Sequence, residues 1–175
     1  APWEQRIREV LGNQVFGVDS DTMESVVLGL LRDRGWSLGL AESVTGGLVA
    51  GRLTGVPGAS EVFRGAVVSY ASEVKFDLLG VSEGPVVTEE AAIEMAEGAR
   101  KVLRSDVGLA LTGVAGPSEQ DGMRPGTLFA AVVLPEGEPD RIRSAHVTMP
   151  GDRDMMRQLS VISALDLLRK RFLES

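Results

Sequence analysis

Apolar stretches of strand length alternate with helix-length segments along most of this chain, and that alternation decides its fold class. Trp36 to Glu42, Val62 to Tyr70, Val107 to Leu111, Thr127 to Leu134 and Arg141 to Met149 read as strands. Helices are predicted over Leu48 to Leu53 and Ser72 to Leu79. Another begins at Thr88, where a capping hydroxyl precedes two acids, and ends among Arg100, Lys101 and Arg104. An earlier helix opens at Asp21-Thr22-Met23-Glu24, with Asp21 expected at the cap, and stops at Gly35. The last starts at Pro150-Gly151-Asp152 and carries Met155, Leu159 and Ile162. The class is therefore α/β. Only Pro135-Glu136-Gly137-Glu138-Pro139 joins the last two strands, so they form a hairpin and the sheet is mixed.

The chain of 175 residues is the length of one α/β domain and can bury a core without staples. Its opening is set apart. Glu4 to Leu11 reads as a short helix, followed by Gly12-Asn13-Gln14 and a small apolar run, Val15 to Val18. Residues 1–18 are read as a linker or junction segment and 19–175 as the domain. The chain opens on Ala1-Pro2 and not on Met, so a piece of a longer protein is expected.

Composition narrows the chemistry. With no cysteine, disulfides, thiolate nucleophiles and soft zinc sites are excluded. A Ser-His-Asp triad would have to use His146, the single histidine, which sits in a strand of mixed facing and reads as structural or solvated. A hydrolase built from this sequence would draw its base from a Lys, a Tyr or a carboxylate. The net charge of −7 argues against a broad basic surface for nucleic acid, while leaving room for a small phosphate pocket. No apolar run reaches membrane-spanning length, and no export signal is visible, so no membrane partner is expected and the cytoplasm is the default location.

Four segments could carry chemistry. Ala41-Glu42-Ser43-Val44-Thr45-Gly46-Gly47 follows a buried strand and precedes a helix, at the sheet edge where α/β folds bind ligands. Ser43 and Thr45 supply hydroxyls there, and Gly46 and Gly47 allow close approach to the backbone. The plainer reading is a capped helix after a tight turn. In the second segment Tyr70 ends a strand and Lys75 lies on the next helix. Either could take a serine proton, the lysine only if its pKa is lowered. The alternative is a surface lysine paired with Glu73 or Asp77. Thr112-Gly113-Val114-Ala115-Gly116-Pro117 follows the central strand and either shares a crevice with Ser43 or is a flexible connection. Gly151-Asp152-Arg153 opens a helix, and Arg153 either grips a phosphate or is an exposed neighbour of the cap.

The four motifs, in this order and with these separations, resemble the CinA C-terminal domain family, the nicotinamide-nucleotide amidases, from about Asp21 to Phe172. The resemblance implies a three-layer α/β/α fold and a small-molecule nucleotide substrate. The implied reaction is nicotinamide mononucleotide plus water giving nicotinic acid mononucleotide plus ammonia. It assigns Ser43 as nucleophile and Lys75, assisted by Tyr70, as proton acceptor and later donor. Backbone N–H groups around Thr45, Gly46 and Gly47 would hold the oxyanion. Thr112, Gly113, Ala115 and Gly116, with Arg153, would hold the ribose phosphate. No metal and no cofactor are implied, and a homo-oligomer is expected. In longer relatives a molybdopterin-binding-like domain is fused ahead of a junction like the one seen here. The chain departs from the family in two places. Arg124-Pro125-Gly126-Thr127 stands where Lys-Pro-Val-Gly-Thr is usual, with Arg124 in place of the Lys and the Val absent, and Ser72 replaces an Asn. Both bear on affinity more than on reaction type. Two rival readings use the same sequence: a nucleotide-binding module without catalysis, and a protein-interaction module linked to competence or DNA damage.

Overall fold

The computed structural model describes residues 2–174. Five strands, β1 (Leu38–Glu42), β2 (Phe63–Val68), β3 (Val107–Gly113), β4 (Thr127–Val133) and β5 (Ile142–Thr148), form one sheet in the order β2-β1-β3-β4-β5. The first three run parallel, and β4 reverses against both β3 and β5. The expected mixed sheet and its terminal hairpin are present. The strands β1, β3 and β4 are buried along nearly their whole length, as strands covered on both faces must be.

Helices cover both faces. On one side α2 (Met23–Arg34), α3 (Leu48–Thr54) and α6 (Arg153–Leu173) enclose a core that includes Leu28, Leu31, Leu40, Leu109, Leu165 and Phe172. On the other, α4 (Ser72–Leu79) and α5 (Glu89–Leu103) pack over Ala41, Ala110, Ala131, Val133 and Met95. The small residues on this second face let α5 sit close. A Cβ added at Gly108 would lie 2.1 Å from the Ala96 carbonyl, and one at Gly98 would lie 2.2 Å from the Leu79 carbonyl. A first helix, α1 (Pro2–Leu11), buries none of its residues.

Helix caps follow the sequence with one correction. Thr88 accepts from the Ala91 N–H, and Asp152 accepts from the Met155 N–H, as their positions predict. The cap of α2 is Thr22 and not Asp21: the Thr22 hydroxyl accepts from the Ser25 N–H while Ser25 returns a bond to the Thr22 N–H. Asp21 lies one residue too early. Its carboxylate accepts from the Val18 N–H at 2.9 Å and closes the preceding turn instead.

Strand direction places the site. The carboxyl ends of β1, β2 and β3 share one edge of the sheet. Because β4 is reversed, its start and the end of β5 lie at that same edge. All four candidate segments therefore converge there. No helix among the described residues is long and apolar enough to cross a membrane.

Candidate active site

A cavity of about 350 Å³ opens at this edge. Ser43, Tyr70, Lys75, Thr112, Gly113, Ala115, Gly116 and Arg153 line it, joined by Val44, Val87 and the stretch 117–120. Eight of the residues singled out from the sequence thus come together from four separate segments of the chain. Thr45, Gly46 and Gly47 do not line the cavity.

The reason for that difference is Glu42, the last residue of β1, which is wholly buried. A buried carboxylate needs several donors, and this one accepts from the Thr45 hydroxyl at 2.7 Å and from the N–H groups of Gly47, Val49 and Ala50 at 3.0, 3.1 and 2.8 Å. The start of α3 is therefore already occupied by an internal anion. The Gly46 N–H closes the turn onto the Ser43 carbonyl at 3.1 Å. Gly46 and Gly47 thus have no N–H left for an oxyanion. Their positive φ angles of 60° and 98° serve the turn itself.

Lys75 is 1% exposed. The alternative of a surface lysine paired with Glu73 or Asp77 does not hold. Its Nζ donates to the Ser69 carbonyl at 2.6 Å, and the Ser69 N–H donates to the Glu42 carbonyl at 2.8 Å. The base candidate is tied in this way to the residue adjoining Ser43. Burial pushes the Lys75 amine below its usual range, while the charges of Asp121 and Glu73 work against that shift. Asp121 also accepts from the N–H groups of Val86 and Val87 at 2.8 and 3.1 Å, fixing the 118–126 loop beside the cavity. The Thr112 hydroxyl donates to the Val86 carbonyl at 2.7 Å.

Arg153 spans the cavity mouth. It donates to the Gly116 carbonyl at 2.8 Å and to the Tyr70 hydroxyl at 2.9 Å. Tyr70 is exposed and stands at this mouth. His146 lies exposed on β5, stacked on Phe129 at 4.3 Å between ring centroids, and does not line the cavity. Arg124 does not line it either. Among the described residues no three of His, Asp and Glu gather as metal ligands.

The CinA C-terminal domain family matches residues 20–172 of this sequence. The chain belongs to the CinA C-terminal domain family. A CinA-like protein of Frankia casuarinae is 50% identical over 97% of this chain, and one of Gloeobacter violaceus is 43% identical over 99%. The chain spans about 40% of the length of these relatives. Among solved structures, a CinA superfamily protein of Klebsiella pneumoniae superposes with a TM-score of 0.81 at 26% identity, over 87% of this chain and 97% of that one. One from Escherichia coli gives 0.77 at 29% identity, over 91% and 98%.

The CinA-domain cavity has partners that sequence reading missed. Glu42 was visible as a lone charge ending an apolar strand, next to the candidate serine. Ser69, Val87 and Asp121 carry no local signal, because their roles depend on loops brought together only by the sheet. Arg157 belongs with them. From α6 it donates to the carbonyls of Val44 and Thr45, at 3.2 and 2.9 Å.

Proposed function

We propose that this chain is a serine-type amidohydrolase that deamidates nicotinamide mononucleotide, yielding nicotinic acid mononucleotide and ammonia in pyridine nucleotide recycling. The observation that carries the reading is Lys75. A lysine that is buried, held by one carbonyl and shifted toward its neutral form shares a cavity with a serine that directly follows a parallel strand. A neutral amine can accept the Ser43 proton; a surface lysine could not do so near neutral pH.

The remaining roles follow from position. Ser43 attacks the carboxamide carbon and Lys75 takes its proton, later giving it to the departing nitrogen. Arg153 and the 112–116 loop stand where a phosphate would be gripped, and the planar guanidinium suits that ligand. The Tyr70 hydroxyl is bound by Arg153, which favours a part in orienting Arg153 over a direct share in proton transfer.

The test is ammonia release from nicotinamide mononucleotide. Wild-type protein is expected to turn over, and folded Ser43→Ala to lose several orders of magnitude in rate. Near-wild-type turnover by Ser43→Ala would sink the nucleophile assignment. Chelator is expected to leave the rate unchanged, since no step in this scheme uses a metal; loss with EDTA, restored by one divalent ion, would overturn that.

A further inference from the structure

The loop after β3 folds back as a tight hairpin against the cavity wall. Gln120 and Met123 exchange both backbone hydrogen bonds, at 3.1 and 2.8 Å, across the two-residue turn Asp121-Gly122. Both turn residues have positive φ, 51° and 74°, as a type I′ hairpin turn requires. Neutral Asn or Gly fills such a turn as well as Asp does, so the conformation alone does not call for a charge. The carboxylate has another use. It accepts from the N–H groups of Val86 and Val87, while the Thr112 hydroxyl donates to the Val86 carbonyl. The 86–87 segment is thereby held from both sides, and Val87, Lys75 and Gln120 line the cavity together.

The charges around Lys75 sort by element. Its own helix α4 carries Glu73 and Asp77, and α5 carries Glu89, Glu90 and Glu94. Glu94 is engaged by the Ser82 N–H and hydroxyl, and Glu89 by the Ser144 hydroxyl. Glu42 is saturated by its four donors. Glu119 and Arg153, of opposite sign, share the cavity lining. After burial itself, which lowers the proton affinity of Lys75, the charge of Asp121 acts most strongly on it and Glu73 next, both in the opposite sense. A base that works twice needs this balance. It must be neutral to accept the Ser43 proton and must then hold that proton until the nitrogen departs. Burial serves the first need, and an anion fixed nearby serves the second.

We propose that Asp121 is a positioning residue for Lys75: it pins the hairpin to the Val86–Val87 backbone, and its charge stabilises the protonated amine between the two proton transfers. The proposal rests on Lys75 being the base in the amidase reading. Asp121 itself gives and takes no proton. The proton passes from Ser43 Oγ to Lys75 Nζ as the Oγ–C bond forms, and from Nζ to the nitrogen as the C–N bond breaks.

The experiment separates charge from anchoring. Asp121→Asn keeps an oxygen for the two N–H groups and tolerates the positive φ, but removes the charge; Asp121→Ala removes both. Isotope-labelled lysine gives three Cε signals, from Lys75, Lys101 and Lys170, and Lys75→Met identifies the first. In Asp121→Asn the Lys75 signal should titrate at lower pH than in wild type while the other two stay in place. The acid limb of kcat/KM for nicotinamide mononucleotide should move the same way. Asp121 is exposed, so solvent screens part of its field, and at a pH on that limb the rate relative to its own plateau should rise by about threefold. KM should change less than about twofold in Asp121→Asn and rise further in Asp121→Ala, through loss of the anchor. Asp121→Ser, uncharged and still an acceptor, supplies the same reading should the Asn variant not fold. A Lys75 signal that titrates at the wild-type pH in a folded, uncharged variant would overturn the proposal, as would equal shifts at all three lysines. Failure of the amidase reading shows differently: the Lys75 signal would still move while wild-type protein left the mononucleotide intact.

Discussion

At residue 75 the fold buries an amine without an ionic partner in hydrogen-bond contact, giving it only the Ser69 carbonyl. Desolvation disfavours its charged form, so the folded protein releases this proton at lower pH than the unfolded chain, whose lysine keeps the ordinary value of 10.5. Between those two pKa values the unfolded chain holds more protons, and stability rises with pH. Below the folded value the full cost of the buried charge is present; above 10.5 it is gone. Lys75→Met removes that cost. It should melt higher than wild type at pH 7, by about 2–4 °C for each kcal/mol recovered, and the gap should shrink as pH climbs toward 10. A gap that stays constant with pH would show that packing, and not charge, explains it. Function separates the same residue's roles. Lys75→Arg keeps a cation that cannot give up its proton at neutral pH. If Lys75 is the base, the Arg and Met variants should both lose turnover by orders of magnitude while still binding the mononucleotide. If it instead grips phosphate, Arg should keep much of the turnover and Met should chiefly raise KM.

At the scale of elements, small residues decide how closely α5 approaches its neighbours. Gly98→Ala would push a Cβ to 2.2 Å from the Leu79 carbonyl, which is backbone and cannot swing aside. Overpacking of this kind costs about 1–3 kcal/mol. Gly29, inside α2, has nothing within 4 Å of its added Cβ, so Gly29→Ala should instead gain about 0.5–1 kcal/mol. Opposite signs in paired denaturant titrations would bear this out, and equal signs would contradict it. The sequence showed both helices but not this difference, because a glycine inside a helix looks the same whether it faces water or a carbonyl. The strands were legible for the converse reason: continuous apolar runs such as Val107 to Leu111 have few other uses in a chain of this size. The site was legible where a residue type is rare or oddly placed, as with Tyr70 and Lys75 after a strand. It was misread at Gly46 and Gly47, because sequence cannot say that Glu42 has already taken the N–H groups of the helix behind them. Arg157 was invisible, being 113 residues from the carbonyl it holds.

For the molecule as a whole, three observations set residues 2–11 apart from the body. The helix α1 buries nothing; Trp3 and Val10 are 77% and 76% exposed. The family match begins only at residue 20. Among the described residues the first hydrogen bond to the body comes later, where Arg169 donates to the Asn13 carbonyl at 2.5 Å. A ten-residue helix is marginal in water without tertiary packing, and surface features that pack on nothing usually shift stability by no more than about 0.5 kcal/mol. Removing residues 1–11 should therefore leave the melting temperature within about 2 °C. The two tryptophans give a second reading of the same experiment. Trp36 is half-buried and packs against Phe172 with ring centroids 5.9 Å apart, whereas Trp3 faces water. Loss of Trp3 should move the emission maximum to shorter wavelength while the unfolding transition stays in place. A fall of more than about 6 °C would make α1 part of the cooperative unit and would overturn the proposed division of the chain near residue 19.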